Sequence, residues 1–355
     1  MRAAVTWEAG GPFDVRQVEI RQPGPGEVAV DIHACGVCAS DLALTTVFGA
    51  PTPTVLGHEG SGVIAAVGEG VDPSRVGQHV VVAWITPCLL CEQCLRGALH
   101  LCARRKATSD GGPAQVSPLS ADGREIHQGM ATSTFAERTI VRSGSAITID
   151  PSVPHEVAAM LGCAVPTGVG AALRNAEVSP GDHVAVIGAG AVGMSAVLGA
   201  LVGGASRVVS VDPSPVRRER SLAVGSHEAV EPDGLADLGP FDVVIDAVGR
   251  PETVSSAWAA TRRGGHITVV GAGRPGMKVE LDAFHLFHDA KTIRGCFAGD
   301  LVPVRDLSWM VDLWKAGLLP VEKLIDGTAD LAHINEVTAA QVSGQVLRTI
   351  VTTGR

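Results

Sequence analysis

The chain has 355 residues, enough for two domains of ordinary size, with 46% hydrophobic and 18% charged residues in a globular balance. A net charge of −9, 3% aromatic residues and no tyrosine argue against a polyanionic partner and against stacking surfaces for bases or sugars. The opening MRAAVTWEAG has no apolar core of a secretory signal, so the eight cysteines are expected in a reducing cytoplasm, where clustered thiols indicate metal rather than disulfides.

Residues 1 to about 160 read as β-rich. Short apolar or alternating runs (Glu27–His33, Gly62–Val67, His79–Ala83, Thr139–Val141) are separated by Gly/Pro turns such as PGPGE at 23–27. Within this part, Cys88, Cys91, Cys94 and Cys102 follow one another at x2, x2 and x7 spacing. Four thiolates in one short loop suit a closed tetrahedral Zn(Cys)4 site of structural type. An iron–sulfur cluster also uses closely spaced cysteines, but no proline follows the fourth and no second set is present, so zinc is the expected ion. Cys35 and Cys38 form a CxxC, which as a redox motif belongs at a helix start after a strand in a thioredoxin-like unit; here it lies in β-rich sequence. Cys38, His58 in GHEG and Cys163 in LGCAVPTG, each weak alone, make a second candidate set.

From about 165 to 300 the pattern changes to strand–helix alternation. His183 to Asp212 is its centre: a buried-strand run (Val184–Ile187), then Gly188, Gly190 and Gly193 as GxGxxG, a segment of helical length, and a second strand (Arg207–Val211) ending at Asp212. Gly188 permits the tight turn, Gly190 lets backbone N–H groups approach a pyrophosphate, and Gly193 lets helix and strand pack closely. Asp212, 19 residues beyond the last glycine, is placed to accept a ribose hydroxyl. The strand, turn and helix context turns a weak motif into a dinucleotide site. Val184 to Ala205 carries no charge and has the length of a bilayer span, but six of its 22 residues are glycine and it has no interfacial flank. Further strands are expected at Phe241–Ala247 and His266–Gly271, helices near Glu252–Thr261 and over Val304–Ala316, and a final strand at Val346–Val351. No internal repeat or low-complexity linker is visible.

GVCASD (36–41), GHEGSGVIAAVGEGV (57–71), the four-cysteine loop, MATSTFAE (130–137), LGCAVPTGVG (161–170), GAGAVG (188–193) and QVLRTIV (345–351) occur in this order. Together they closely resemble the zinc-dependent medium-chain alcohol dehydrogenases, over essentially the whole chain. The resemblance implies an α/β fold: a GroES-like β-rich catalytic domain (1–164 and 301–355) and a Rossmann doubly wound parallel-sheet domain (165–300), with substrate and cofactor meeting between them. It also implies that Cys38, His58 and Cys163 bind a catalytic Zn2+ with an open fourth position, beside the structural Zn2+ of Cys88, Cys91, Cys94 and Cys102. Asp41 would orient His58, Glu59 would tune the metal's field, and Ser40 would take the alcohol proton.

By the same resemblance, NAD would lie on Gly188, Gly190, Ala191, Val192 and Gly193, with Asp212 and Arg217 at the adenosine ribose, Arg348 at the pyrophosphate and Thr167 beside the nicotinamide. Phe48, Trp84 and Phe135 would line the alcohol pocket. The implied reaction is hydride transfer between an alcohol, or its aldehyde or ketone, and NAD, by a homodimer or homotetramer. A thiol-adduct (S-hydroxymethyl-thiol) formaldehyde dehydrogenase is the nearest variant, and a non-catalytic zinc- and nucleotide-binding relative the rival from another class. Two positions depart from the family pattern: Ala39 removes a phosphate contact, and Ala43 stands where a histidine often passes the proton to solvent.

Overall fold

The computed structural model describes residues 1–104 and 117–354. Contacts divide the chain into two units, one of residues 1–163, 302–311 and 325–355 and the other of 164–301 and 312–324.

Among the described residues, the first unit is built on two sheets. One has seven strands, and its central Glu27–Gly36 pairs antiparallel with Glu59–Val67 on one side and with Thr349–Thr352 on the other. Nearly every residue of Glu27–Gly36 is buried, which is why it reads as a continuous apolar run rather than an alternating one. The C-terminal return is therefore a strand of this sheet. It begins at Thr349, three residues later than its apolar run predicts, because Asp326 holds the approach: its carboxylate accepts the N–H groups of Leu347 and Arg348, and its own N–H donates to Arg348 O. The other sheet has six strands and starts from Arg2–Thr6. Val30, Ile32, Val55, Ile126, Phe135 and Val351 belong to the core of this unit.

The second unit is a six-stranded, all-parallel sheet. Its spatial order is Glu228–Val230, Arg207–Val211, His183–Ile187, Phe241–Asp246, Thr261–Val269 and Thr292–Gly295. His183–Ile187 is first in sequence and lies between the second and fourth strands. The chain thus reverses direction across the sheet there, and ligands of open α/β sheets bind beyond the strand ends at such a switch point. The segment that has the composition of a membrane span is this strand plus the helix Ala191–Val202. Among the described residues no helix is long and apolar enough to cross a membrane.

Candidate metal centres and cofactor site

The strand Glu27–Gly36 runs into Cys38, which caps an eight-residue helix, Ala39–Thr46. Asp41, the third helical residue, turns its carboxylate back to accept Cys38 N–H at 3.1 Å. The other oxygen accepts Gly57 N–H at 3.0 Å and lies 2.7 Å from His58 Nδ1. Gly57 adopts φ +95°, and a Cβ there would fall 2.6 Å from Phe135 N, so only glycine makes the turn that delivers His58. With Nδ1 held, His58 presents Nε2, which is buried and has no protein partner. Cys163, in the turn after the helix His155–Met160, completes the group. The donor atoms of Cys38, His58, Glu59 and Cys163 all lie within 4.8 Å of one another.

The electrostatics of this cluster suit a cation. A hydrogen bond shared with Cys163 holds the Cys38 thiol well below its ordinary range, and the same bond holds Cys163 well above it. Burial works against a charged His58, but Asp41 outweighs it and raises the imidazole. Burial pushes Glu59 up to about 7 even though Arg348 Nη2 stands 3.3 Å from its Oε1. Glu59 Oε2 and two nitrogens of Arg348 remain buried without partners. Two thiols and an imidazole nitrogen converging in a dry site fit Zn2+, with Asp41 as the carboxylate behind the histidine.

The four-cysteine loop is local. Cys91 caps the short helix Glu92–Leu95, and the N–H groups of Leu90 and Cys91 point at Cys88 Sγ at 3.5 and 3.3 Å. Cys88 and Cys94 sulfurs stand 4.0 Å apart, and those of Cys91 and Cys102 3.9 Å. A tetrahedron with bonds of about 2.3 Å to sulfur has edges of about 3.8 Å, so the sulfurs already match Zn(Cys)4. They are far too distant for disulfides, and all eight cysteines are free.

In the parallel-sheet unit, Gly188 adopts φ +93° and its N–H donates to Val211 O. A Cβ on Gly193 would sit 1.7 Å from Gly188 O, whereas one on Gly190 would meet nothing within 4 Å. The glycine turn is thus closed where helix meets strand and open where phosphate would approach. Ala191 and Val192 open the helix there, both partly exposed. Asp212 accepts Ala189 N–H with one oxygen and Ser214 N–H with the other, each at 2.9 Å, which ties the acid to the glycine loop. Arg217 lies 3.8 Å from it. Thr167 is partly exposed in the helix Ala164–Gly170, whose next residue, Gly168, packs against Val192 O. These groups fit a nicotinamide dinucleotide.

Two family models match the chain: an alcohol dehydrogenase GroES-like domain over residues 24–151 and a zinc-binding dehydrogenase domain over 191–316. Alcohol dehydrogenase class-3 of Drosophila melanogaster is 34% identical, over 99% of this chain and 97% of its own. The chain belongs to the zinc-binding alcohol dehydrogenase family. The S-(hydroxymethyl)glutathione dehydrogenase of Komagataella pastoris is 31% identical, over 99% and 97% of the two chains. The structure of benzyl alcohol dehydrogenase from Acinetobacter calcoaceticus superposes with a TM-score of 0.91 at 30% identity, over 99% of each chain. As a member of the family, the protein is a zinc-dependent oxidoreductase that moves hydride between an alcohol, or its aldehyde or ketone, and NAD.

The other residues expected of an alcohol dehydrogenase fall as follows. Ser40 is partly exposed on the first turn of its helix, and Ala43, three residues on, shares that face without offering a base. Trp84 meets the His58 ring edge-on, with centroids 6.1 Å apart, and lines a small cleft with Gln128 and Met130. Phe48 is 57% exposed. Phe135 corrects its expected place in the pocket wall: it is fully buried, edge-on to Phe13 and under Gly57, because the turn that delivers His58 needs a large apolar support. Of the three arginines at 217, 218 and 220 whose type could accommodate a 2′-phosphate, Arg218 donates to the carbonyls of Asp212 and Pro213 and pairs with Glu231. Asp326, which fixes the backbone of Arg348, was not legible in sequence, since the two meet only where parallel strands begin.

Proposed function

We propose that Cys38, His58 and Cys163 hold the catalytic zinc of an NAD-linked dehydrogenase for aromatic and other primary alcohols. The observation that carries the reading is the buried, unpartnered Nε2 of His58, fixed by Asp41 and facing two thiols. Zinc supplies Lewis acidity that makes a hydroxyl acidic near neutrality, and NAD supplies the hydride acceptor. Asp41 holds the His58 tautomer, and Glu59, paired with Arg348, balances charge beside the metal. The Ser40 hydroxyl receives the substrate proton and, with alanine at 43, passes it to water. Trp84 gives the pocket an aromatic wall against which a flat substrate packs. The Cys88, Cys91, Cys94 and Cys102 site is structural.

Gly188, Gly190, Ala191, Val192 and Gly193 receive the cofactor's phosphates, Asp212 and Arg217 take the ribose, and Thr167 flanks the nicotinamide. NAD is favoured over NADP, because the Asp212 carboxylate repels a 2′-phosphate and Arg218 is engaged elsewhere. The enzyme works in the cytoplasm, a reading supported by two thiol clusters that bind metal only when reduced. It assembles as a homo-oligomer through the edge strand Thr292–Gly295 and the exposed Met277, Phe284 and Phe287 nearby in sequence.

NADH formation by zinc-replete protein with primary, secondary and aromatic alcohols tests the activity. No turnover with any of them would overturn it. Formaldehyde oxidation that depends on an added low-molecular-weight thiol would favour the thiol-adduct variant instead. Light scattering of wild type and Phe287→Asp tests the assembly.

A further inference from the structure

Three histidines far apart in sequence are stacked in the first unit. The His155 ring lies between His33, at 4.2 Å and nearly parallel, and His79, at 4.1 Å. Buried Ser61 joins them from below. Its Oγ donates to Val80 O at 3.0 Å and faces His155 Nδ1 at 2.9 Å and His79 Nε2 at 3.2 Å. His79 also donates to the Pro151 carbonyl, so the Nε2 of its neutral ring accepts from Ser61, whose one proton is shared with Val80 O, while His155 Nδ1 donates to the same hydroxyl. The arrangement is complete with neutral rings in set tautomers.

Each member lies on a segment that carries part of the metal centre. His33 shares its strand with the approach to Cys38, Ser61 follows His58 by three residues, and His155 opens the helix that ends just before Cys163. His79 starts the short strand leading to Trp84. We propose that this histidine stack is a positioning cluster that bolts the three metal-ligand segments together and loosens their hold on the metal in mild acid. The proposal rests on Cys38, His58 and Cys163 being the catalytic metal ligands.

The acid response follows from the geometry. A proton on any ring places a cation about 4 Å from its neighbour's face, and a second proton sets two like charges there with little water between them. Burial, then His79 and His33, hold His155 down to about 4, and burial holds His79 below its ordinary value. At His79 the Pro151 carbonyl and then the Asp150 carboxylate oppose that shift. A ring released from the stack regains a value near 6.5, so the opened form binds more protons than the closed one between about 6.5 and 4. Opening is therefore favoured as pH falls through that window and disfavoured above it.

The test is zinc release from the holoenzyme into a chelator between pH 4.5 and 8. Loss at the catalytic site is read as activity that returns at pH 7.5 only with added zinc. Protonation of the ligands contributes equally to all variants, so the comparison isolates the stack. Wild type is expected to show a steeper dependence of log rate on pH than His155→Gln, by about one proton. His79→Gln, which removes the other ring that burial holds low, makes the same comparison if His155→Gln does not fold. Parallel profiles differing only by a constant offset would overturn the proposal and leave the histidines as packing. Wild-type protein holding one zinc per chain, in the four-cysteine loop alone, would instead remove the catalytic-site reading and the proposal with it.

Discussion

Replacing Asp41 with alanine removes the acceptor for three donors at once: Cys38 N–H, Gly57 N–H and His58 Nδ1–H. Asp41 is 1% exposed, so bulk water does not replace it. Each stranded buried donor costs about 1–3 kcal/mol. With one water admitted to the vacated space, the expected loss of stability is about 3–4 kcal/mol. The His58 ring also loses its orientation, which lowers metal affinity by about 10- to 100-fold. Asp41→Asn separates these effects. Its amide oxygen can serve Gly57 and His58, while its NH2 opposes Cys38 N–H, so one bond of three is lost. About 1–2 kcal/mol and a roughly tenfold weaker metal site are expected. Urea unfolding, zinc content by elemental analysis and steady-state turnover measure all three quantities. An Asp41→Ala enzyme with two zincs per chain, wild-type urea midpoint and turnover within about twofold would refute the reasoning. Equal damage by Asn and Ala would also show that the hydrogen bonds do not rank as described.

His58→Ala should abolish turnover and leave one zinc with the fold retained, whereas Cys91→Ala should chiefly lower stability and zinc content; elemental analysis with thermal melts distinguishes them. Gly193→Ala drives a Cβ to 1.7 Å from Gly188 O, so overpacking of about 3 kcal/mol and a large rise in the KM for NAD are expected, read by thermal melts and kinetics. Asp212→Gly should shift the NADP/NAD ratio of kcat/KM by about tenfold or more toward NADP; an unchanged ratio would remove Asp212 from the ribose. In single-turnover rates from pH 5.5 to 9.5, Ala43→His should add about tenfold, most below pH 7, and Ser40→Ala should cost far more. Wild-type rates in Ser40→Ala would show another proton path.

Much of this protein is legible along the chain because its determinants are local. The four cysteines lie within fifteen residues, so one turn and a short helix suffice to bring their sulfurs to tetrahedral spacing. The glycine turn is equally local, since Gly188 and Gly193 meet within one strand–helix corner. Buried parallel strands such as Val184–Ile187 announce themselves as apolar runs because both faces are covered. Cys38, His58 and Cys163 differ: as residues each was weak, and only a family resemblance joined them. Their convergence is made by antiparallel pairing of Glu27–Gly36 with Glu59–Val67 and by the helix leading to Cys163. Tertiary packing alone decided that Phe135 supports Gly57 from the core, that Arg218 is occupied by backbone carbonyls, and that Asp326 clamps Arg348. It also gathered His33, His79 and His155 from three elements into one stack. Sequence periodicity reports which face of an element is covered, but not which distant side chain covers it, because that choice is made by packing between elements far apart in the chain.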